Sequence, residues 1–270
     1  MSPRVIAIRV IAIRVVASAI VAAAVIGCQA QTAPLLTDPK AILSAAATEA
    51  AAASSVHVDL SAEGSLVLDP LGTGAGAPID LRGTTAAADI DLTGRDIRTT
   101  FALPGLLGLS GEVIAVDDTL YLRSTLSGAQ YHVTDLTPAA GASAPPESPL
   151  KGLVDLLAQP GLDSVKGDDV PCGSGTCYTV TIDLTADELA ALGADGIALP
   201  TDLPIPLPDL AGASVELKIR VDHATTRLAG ITATAGLGDT GDLTAELTFT
   251  KWGDTVSINP PPADQIAPPG

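Results

Sequence analysis

Apolar and polar residues alternate strictly along three stretches of this chain. In 56–68, Val56, Val58, Leu60, Ala62, Leu66 and Leu68 share one parity, while His57, Asp59, Ser61, Glu63 and Ser65 share the other. A period of two over that length predicts a long strand with one wet face. The pattern returns where Val215, Leu217, Ile219 and Val221 alternate with Glu216, Lys218, Arg220 and Asp222. It recurs where Leu243, Ala245, Leu247 and Phe249 alternate with Thr244, Glu246, Thr248 and Thr250. Shorter strands are expected at 79–83, 87–92, 95–103, 113–116, 119–123, 131–136, 178–184 and 228–235. Apolar parity switches between Leu81 and Ile90, which predicts a bulge or a break. Asp117-Asp118 sits where a hairpin turn is required.

Helical signals are fewer. Asp38-Pro39 supplies an N-cap followed by proline at the first helical position, opening an Ala-rich helix over 40–53. Leu150, Leu153, Val154 and Leu157 recur at the spacing of a short helix over 150–157, and Thr185-Ala-Asp-Glu188 is a capping box. Residues 69–78 and 138–149 are rich in turn formers. Four prolines among leucines make 199–210 a loop or flap, because no sheet interior tolerates that spacing. From 259 onward no core-forming pattern remains, so the tail should be extended or loose.

This order of elements gives an α+β layout, a large antiparallel sheet with helices gathered on one side. Half-wet strands imply a sheet that curls, and whatever the helices leave uncovered on the concave apolar face is a cavity. Its expected walls include Val58, Leu60, Ile97, Phe101, Leu217, Ile219 and Leu247. The rival is that these side chains pack against the helices as a dry core.

The N-terminus reads as an export signal. Arg4, Arg9 and Arg14 precede an apolar stretch over 15–26, which is shorter than the ~20 residues a bilayer span needs. Val25-Ile26-Gly27-Cys28 resembles the bacterial lipobox, which implies a diacylglyceryl group on the Cys28 thiol and cleavage before it. A plain secretory signal is the alternative. The expected organisation is a leader over 1–27, a lipid-anchored tether over 28–37, one domain over 38–262 and a loose tail over 263–270. The mature protein would sit on the extracytoplasmic face of the cell membrane.

Charge and composition exclude several classes. The chain carries 31 Asp and Glu against 14 Lys and Arg, for a net charge of −17, and three of those arginines belong to the leader. Phosphate-backbone binding needs clustered cations, so nucleic acid is not an expected partner. With two Phe, three Tyr and one Trp, the interior must be built from aliphatic side chains. Such walls also suit acyl chains. Cys172 and Cys177 in an exported chain read as a local disulfide, contributing about 2 kcal/mol on the chain-entropy model, with reduced thiols as the alternative. Zinc lacks partners, since His57, His132 and His223 are scattered. No Gly-x-Ser-x-Gly elbow is present, and the adjacent carboxylates at 117–118, 168–169 and 187–188 read as solvated turn acids. No enzyme and no cofactor is expected.

The segment Phe249-Thr-Lys-Trp-Gly-Asp-Thr-Val-Ser-Ile-Asn-Pro-Pro261, with Ala263-Asp264 following, resembles the end of the LppX/LprA/LprF/LprG family of actinobacterial lipoproteins. The lipobox, the early Ala-rich helix and the His/Val strand after it support the likeness. The resemblance implies a half-barrel akin to the LolA and LolB carriers, with a hydrophobic cavity between sheet and helices that holds acylated lipids. It implies an acylated lipid or glycolipid as ligand, an envelope lipid exporter as partner and a monomeric protein. The chain departs from the pattern in its few aromatics, its Cys172/Cys177 pair and the 199–210 segment. The competing expectation is a structural or signalling-associated surface lipoprotein with a filled core.

Overall fold

The strand with the cleanest alternation is also the one that joins the two halves of the molecule. In the computed structural model, which describes residues 35–68, 76–136, 150–159, 161–185 and 213–268, β1 (Ser55–Leu68) pairs with β3 (Thr84–Asp91) on one side and β13 (Gly241–Thr250) on the other. From β3 the sheet continues through β4 (Asp96–Leu103), β5 (Leu109–Val116) and β6 (Thr119–Ser124) to β7 (His132–Asp135). From β13 it continues through β12 (Leu228–Gly236), β11 (Ser214–Asp222) and β10 (Gly175–Thr185) to β8 (Ser164–Lys166). Short strands β2 (Ala77–Asp80) and β9 (Val170–Cys172) pair with β1 and β10. Among the described residues these form one 13-stranded antiparallel sheet, open at β7 and β8. With two α-helices against it among the described residues, α1 (Pro39–Ala52) and α2 (Lys151–Ala158), this is a half-barrel α+β fold.

The predicted signals have physical counterparts. The Asp38 carboxylate accepts a hydrogen bond from the Lys40 N–H at 3.2 Å and caps α1. The helix buries Ile42, Leu43, Ala46, Ala47 and Ala50, three or four residues apart. These join one apolar cluster with Val56, Tyr178, Val180, Ile182, Ile219 and Val221. The Tyr178 hydroxyl accepts a hydrogen bond from the Leu36 N–H at 3.0 Å, tying the entry to α1 onto β10. The expected parity break is the turn between β2 and β3, closed by the Thr84 N–H on the Leu81 carbonyl at 2.9 Å, with Gly83 at φ +77°. Asp117 and Asp118 take φ of +49° and +56°, the two left-handed positions of a type I′ hairpin turn. Strands β8 and β9 were not expected. They have three residues each, one holding Pro171, too short for a period and tolerable only at an edge. The leader with Cys28, the 138–149 segment, the capping box beyond Thr185 and the 199–210 segment lie outside the described residues.

The tail corrects one expectation. Rather than hanging loose, it runs from β13 to the far half of the sheet, where the Tyr131 N–H donates to the Gln265 carbonyl and the Ala267 N–H to the Tyr131 carbonyl, both at 2.8 Å. Ile266 forms a parallel bridge with Tyr131. Backbone bonds hold this segment, and they leave no hydrophobic period to read. On the way, Ile258 packs against Ile114, Val116 and Tyr131, a second small core on the outer face. That face assignment follows from the register, because Ile114 lies opposite Arg98, Arg98 opposite Asp89 and Asp89 opposite His57.

Beside that core Glu112 is buried, with its carboxylate oxygens held by Arg98 at 2.6 Å and Arg123 at 2.8 Å, and it also accepts from the Tyr131 hydroxyl. Burial alone would push the Glu112 carboxyl up, but the hydrogen bonds from Tyr131 and Arg98 and the two guanidinium charges outweigh it and hold it below the ordinary glutamate value of 4.5. A carboxyl depressed in the folded state adds stability that is complete above the unfolded value and is lost as pH falls through the folded one. Urea midpoints should therefore fall as pH drops below about 4.5, and Glu112→Gln should lower the neutral midpoint while flattening that acid limb.

Candidate functional site

A cavity of about 470 Å³ lies on the concave face, between the sheet and α2. Its floor is built from positions of one parity on five strands: Val58 and Leu60 on β1, Ala86, Ala88 and Ile90 on β3, Leu217 and Ile219 on β11, Ile231 and Ala233 on β12, and Leu247 and Phe249 on β13. Register explains the convergence. Leu60 lies opposite both Ala86 and Leu247, Leu247 opposite Ile231, and Ile231 opposite Ile219, so one row of apolar side chains crosses the sheet at one level. Leu153, Leu156 and Leu157 of α2, with Leu150 before it, supply the other wall.

Every described residue of this lining is apolar. The volume lies within the range of small-molecule sites. Water needs several polar partners to be held in place, and these side chains offer none. A methylene moved from water onto them gains about 0.8 kcal/mol, so affinity would grow with chain length. The described side chains of the walls carry no donor, acceptor or charge that would fix a headgroup. Small residues at Ala86, Ala88 and Ala233 keep the space open where larger ones would fill it.

The seven residues expected on the walls divide by distance across the sheet. Val58, Leu60, Leu217, Ile219 and Leu247 line the cavity. Ile97, one strand further out on β4, packs against the rim of the main core. Phe101 has the right parity, opposite Ala86, but its ring lies against Gly111 on β5, where an added Cβ would fall 2.8 Å from the ring. It borders a separate hollow of about 560 Å³ whose polar lining includes Asp59, Ser61, Thr85, Thr100, Glu246 and Thr248. Sequence reasoning missed the α2 leucines and the alanines of β3 and β12 as walls. The signals were present, since the leucines recur at helical spacing and Ala86 and Ala88 continue the parity of Ile90.

Several polar groups noted in the sequence are paired with neighbours among the described residues. Cys172 and Cys177 are joined as a disulfide with Cα atoms 5.7 Å apart, linking β9 to β10. Asp222 approaches both sulfurs, yet bonded sulfurs offer no thiolate to a metal. The His57 ring is 2.6 Å from Asp89 and 3.4 Å from Asp59 on the outer face. His223 stacks on Tyr178 with ring centroids 3.8 Å apart and lies 3.3 Å from Asp169, which also pairs with Lys166 at 2.6 Å. His132 faces the Ser127 carbonyl at 3.2 Å. Among the described residues, no helix is long and apolar enough to cross a membrane.

No protein-family model matches the chain, and a comparison with curated proteins finds no match. Solved structures do match. The lipoprotein LppX of Mycobacterium tuberculosis shares 12% identity over 82% of this chain and 98% of its own, with a TM-score of 0.48. LprF from Mycobacterium bovis shares 15% identity over 84% of this chain and 98% of its own, with a TM-score of 0.49. A LolA superfamily protein from Nitrosomonas europaea shares 8% identity over 86% and 99%, with a TM-score of 0.25.

Proposed function

We propose that this protein is a lipid-anchored carrier that binds the acyl chains of a lipid or glycolipid in the concave cavity and moves them within the cell envelope. The observation that carries the reading is the wholly apolar described lining, set between sheet and helix at a volume suited to hydrocarbon. Cys28, the first residue after the leader, would hold the monomeric domain on the extracytoplasmic face of the membrane, beside the bilayer that supplies its ligand. An envelope lipid exporter is the partner this placement suits.

The two parts of the reading are tested separately. Cys28→Ser should move the protein from the membrane fraction to the soluble fraction, and unchanged membrane retention would remove the anchor from the account. For carriage, the protein should accelerate movement of a fluorescent acyl lipid from donor to acceptor phosphatidylcholine vesicles in proportion to its concentration. A transfer rate equal to that of vesicles alone would exclude it.

A further inference from the structure

The turns at one end of the β2 to β6 half differ from those at the other. The turn between β4 and β5 is Pro104-Gly-Leu-Leu-Gly108, and it presents Leu107 with 89% of its surface exposed. The loop after β6 presents Leu126, 69% exposed. The two are tied together, because the Thr125 N–H donates to the Ser110 carbonyl at 2.9 Å and the Ser110 N–H to the Thr125 hydroxyl at 3.2 Å. The turn between β2 and β3 abuts them. An added Cβ on Gly105 would fall 1.7 Å from the Asp80 carbonyl oxygen, and one on Gly83 would lie 3.6 Å from Pro104. Arg82, with 82% of its side chain exposed, belongs to this turn.

These leucines are held outward by construction. Leu107 has φ +54°, a left-handed conformation unfavourable for leucine, fixed by the Gly108 N–H on the Pro104 carbonyl at 3.0 Å and the Leu109 N–H on the Leu106 carbonyl at 2.9 Å. Ser127 and Gly128 both donate to the Ser124 carbonyl and fix the loop of Leu126. Within 80–84, 103–111 and 124–132 the one carboxylate is Asp80, 60% exposed and 3.9 Å from Arg82, in a chain of net charge −17. At the opposite end of the same strands the turns carry Asp91, Asp96, Asp117 and Asp118, with Asp135 ending β7.

We infer that this leucine-tipped end is a bilayer-docking surface, a second membrane contact besides the anchor, with Leu107 and Leu126 entering the interface of a zwitterionic membrane and Arg82 meeting lipid phosphates. Exposed apolar side chains flanked by a cation suit the boundary between headgroups and acyl chains. A single carboxylate, paired with Arg82, meets less repulsion and desolvation there than the five of the acidic end would. Docking this way orients the domain, which a flexible tether alone does not.

The test uses the full chain reconstituted in phosphatidylcholine vesicles whose acyl chains carry bromine near the headgroup. Leu107→Trp and Leu126→Trp should each lose most of the fluorescence they add to that of native Trp252, whereas Val165→Trp, exposed on edge strand β8, should keep its own. Quenching of Leu107→Trp no greater than that of Val165→Trp would overturn the docking surface. Lipid extracted from the same protein as purified, before any vesicle lipid is added, reports the cavity independently. Tip quenching without extracted lipid supports docking and counts against carriage, and extracted lipid without tip quenching does the reverse.

Discussion

Ala233→Trp should abolish binding of an acyl ligand while leaving a cooperatively folding protein. Ala233 lies on β12 opposite Leu217 and Ala245, on the cavity floor. An indole there occupies the space that hydrocarbon would use, and the apolar surroundings accept it without an unpaired charge. Overpacking of a dense core costs about 1–3 kcal/mol, but insertion into existing apolar space should stay at the low end or below. Measured by titration with a fluorescent long-chain acyl probe, saturable binding should vanish in Ala233→Trp, with a urea midpoint close to that of the parent. The same result is expected for Ala88→Phe from the β3 side of the floor. Retained affinity in both variants would move the binding site elsewhere.

The largest expected loss of stability is at Gly64, a position with no role in binding. It sits within β1 at φ +115°, opposite Leu243 of β13, where the two halves of the sheet join. A Cβ there would fall 2.3 Å from the Asp242 carbonyl oxygen. Gly64→Ala therefore combines backbone strain with collision against a chain that cannot retreat without opening the β1–β13 ladder. A loss of at least about 3 kcal/mol is expected. Gly128→Ala separates the two effects, because Gly128 has φ +97° but nothing within 4 Å of the added carbon. It should cost about 1 kcal/mol, the strain alone. Equal urea midpoints for the two variants would mean that the junction yields and that the sheet is less continuous than described.

These positions also show where sequence reading reaches and where it stops. The inward faces of β1, β11 and β13 were legible because alternation leaves only one way to bury Val58, Leu60, Leu217, Ile219 and Leu247. Parity assigns a face, however, and gives no distance across the sheet. Ile97 and Phe101 share the inward parity, yet β4 lies one strand beyond β3, outside the strip lined by α2. Phe101 turns instead to the space left by Gly111, a pairing fixed by the β4–β5 register and written nowhere in either strand alone. The α2 leucines carried a clear helical period, but which strands that helix would cover depended on the order β3-β1-β13-β12-β11. The docked tail was illegible for another reason. Its attachment at Gln265 and Ala267 uses main-chain groups that every residue possesses.

Native mass spectrometry of the unmutated protein, purified without added lipid and followed by solvent extraction and mass analysis, tests the central claim most directly. The account predicts a population heavier than the bare chain by the mass of a lipid, collapsing to the bare mass after extraction, with an acylated species recovered in the solvent. A single bare mass under gentle ionisation, together with an extract containing no acylated lipid, would contradict it.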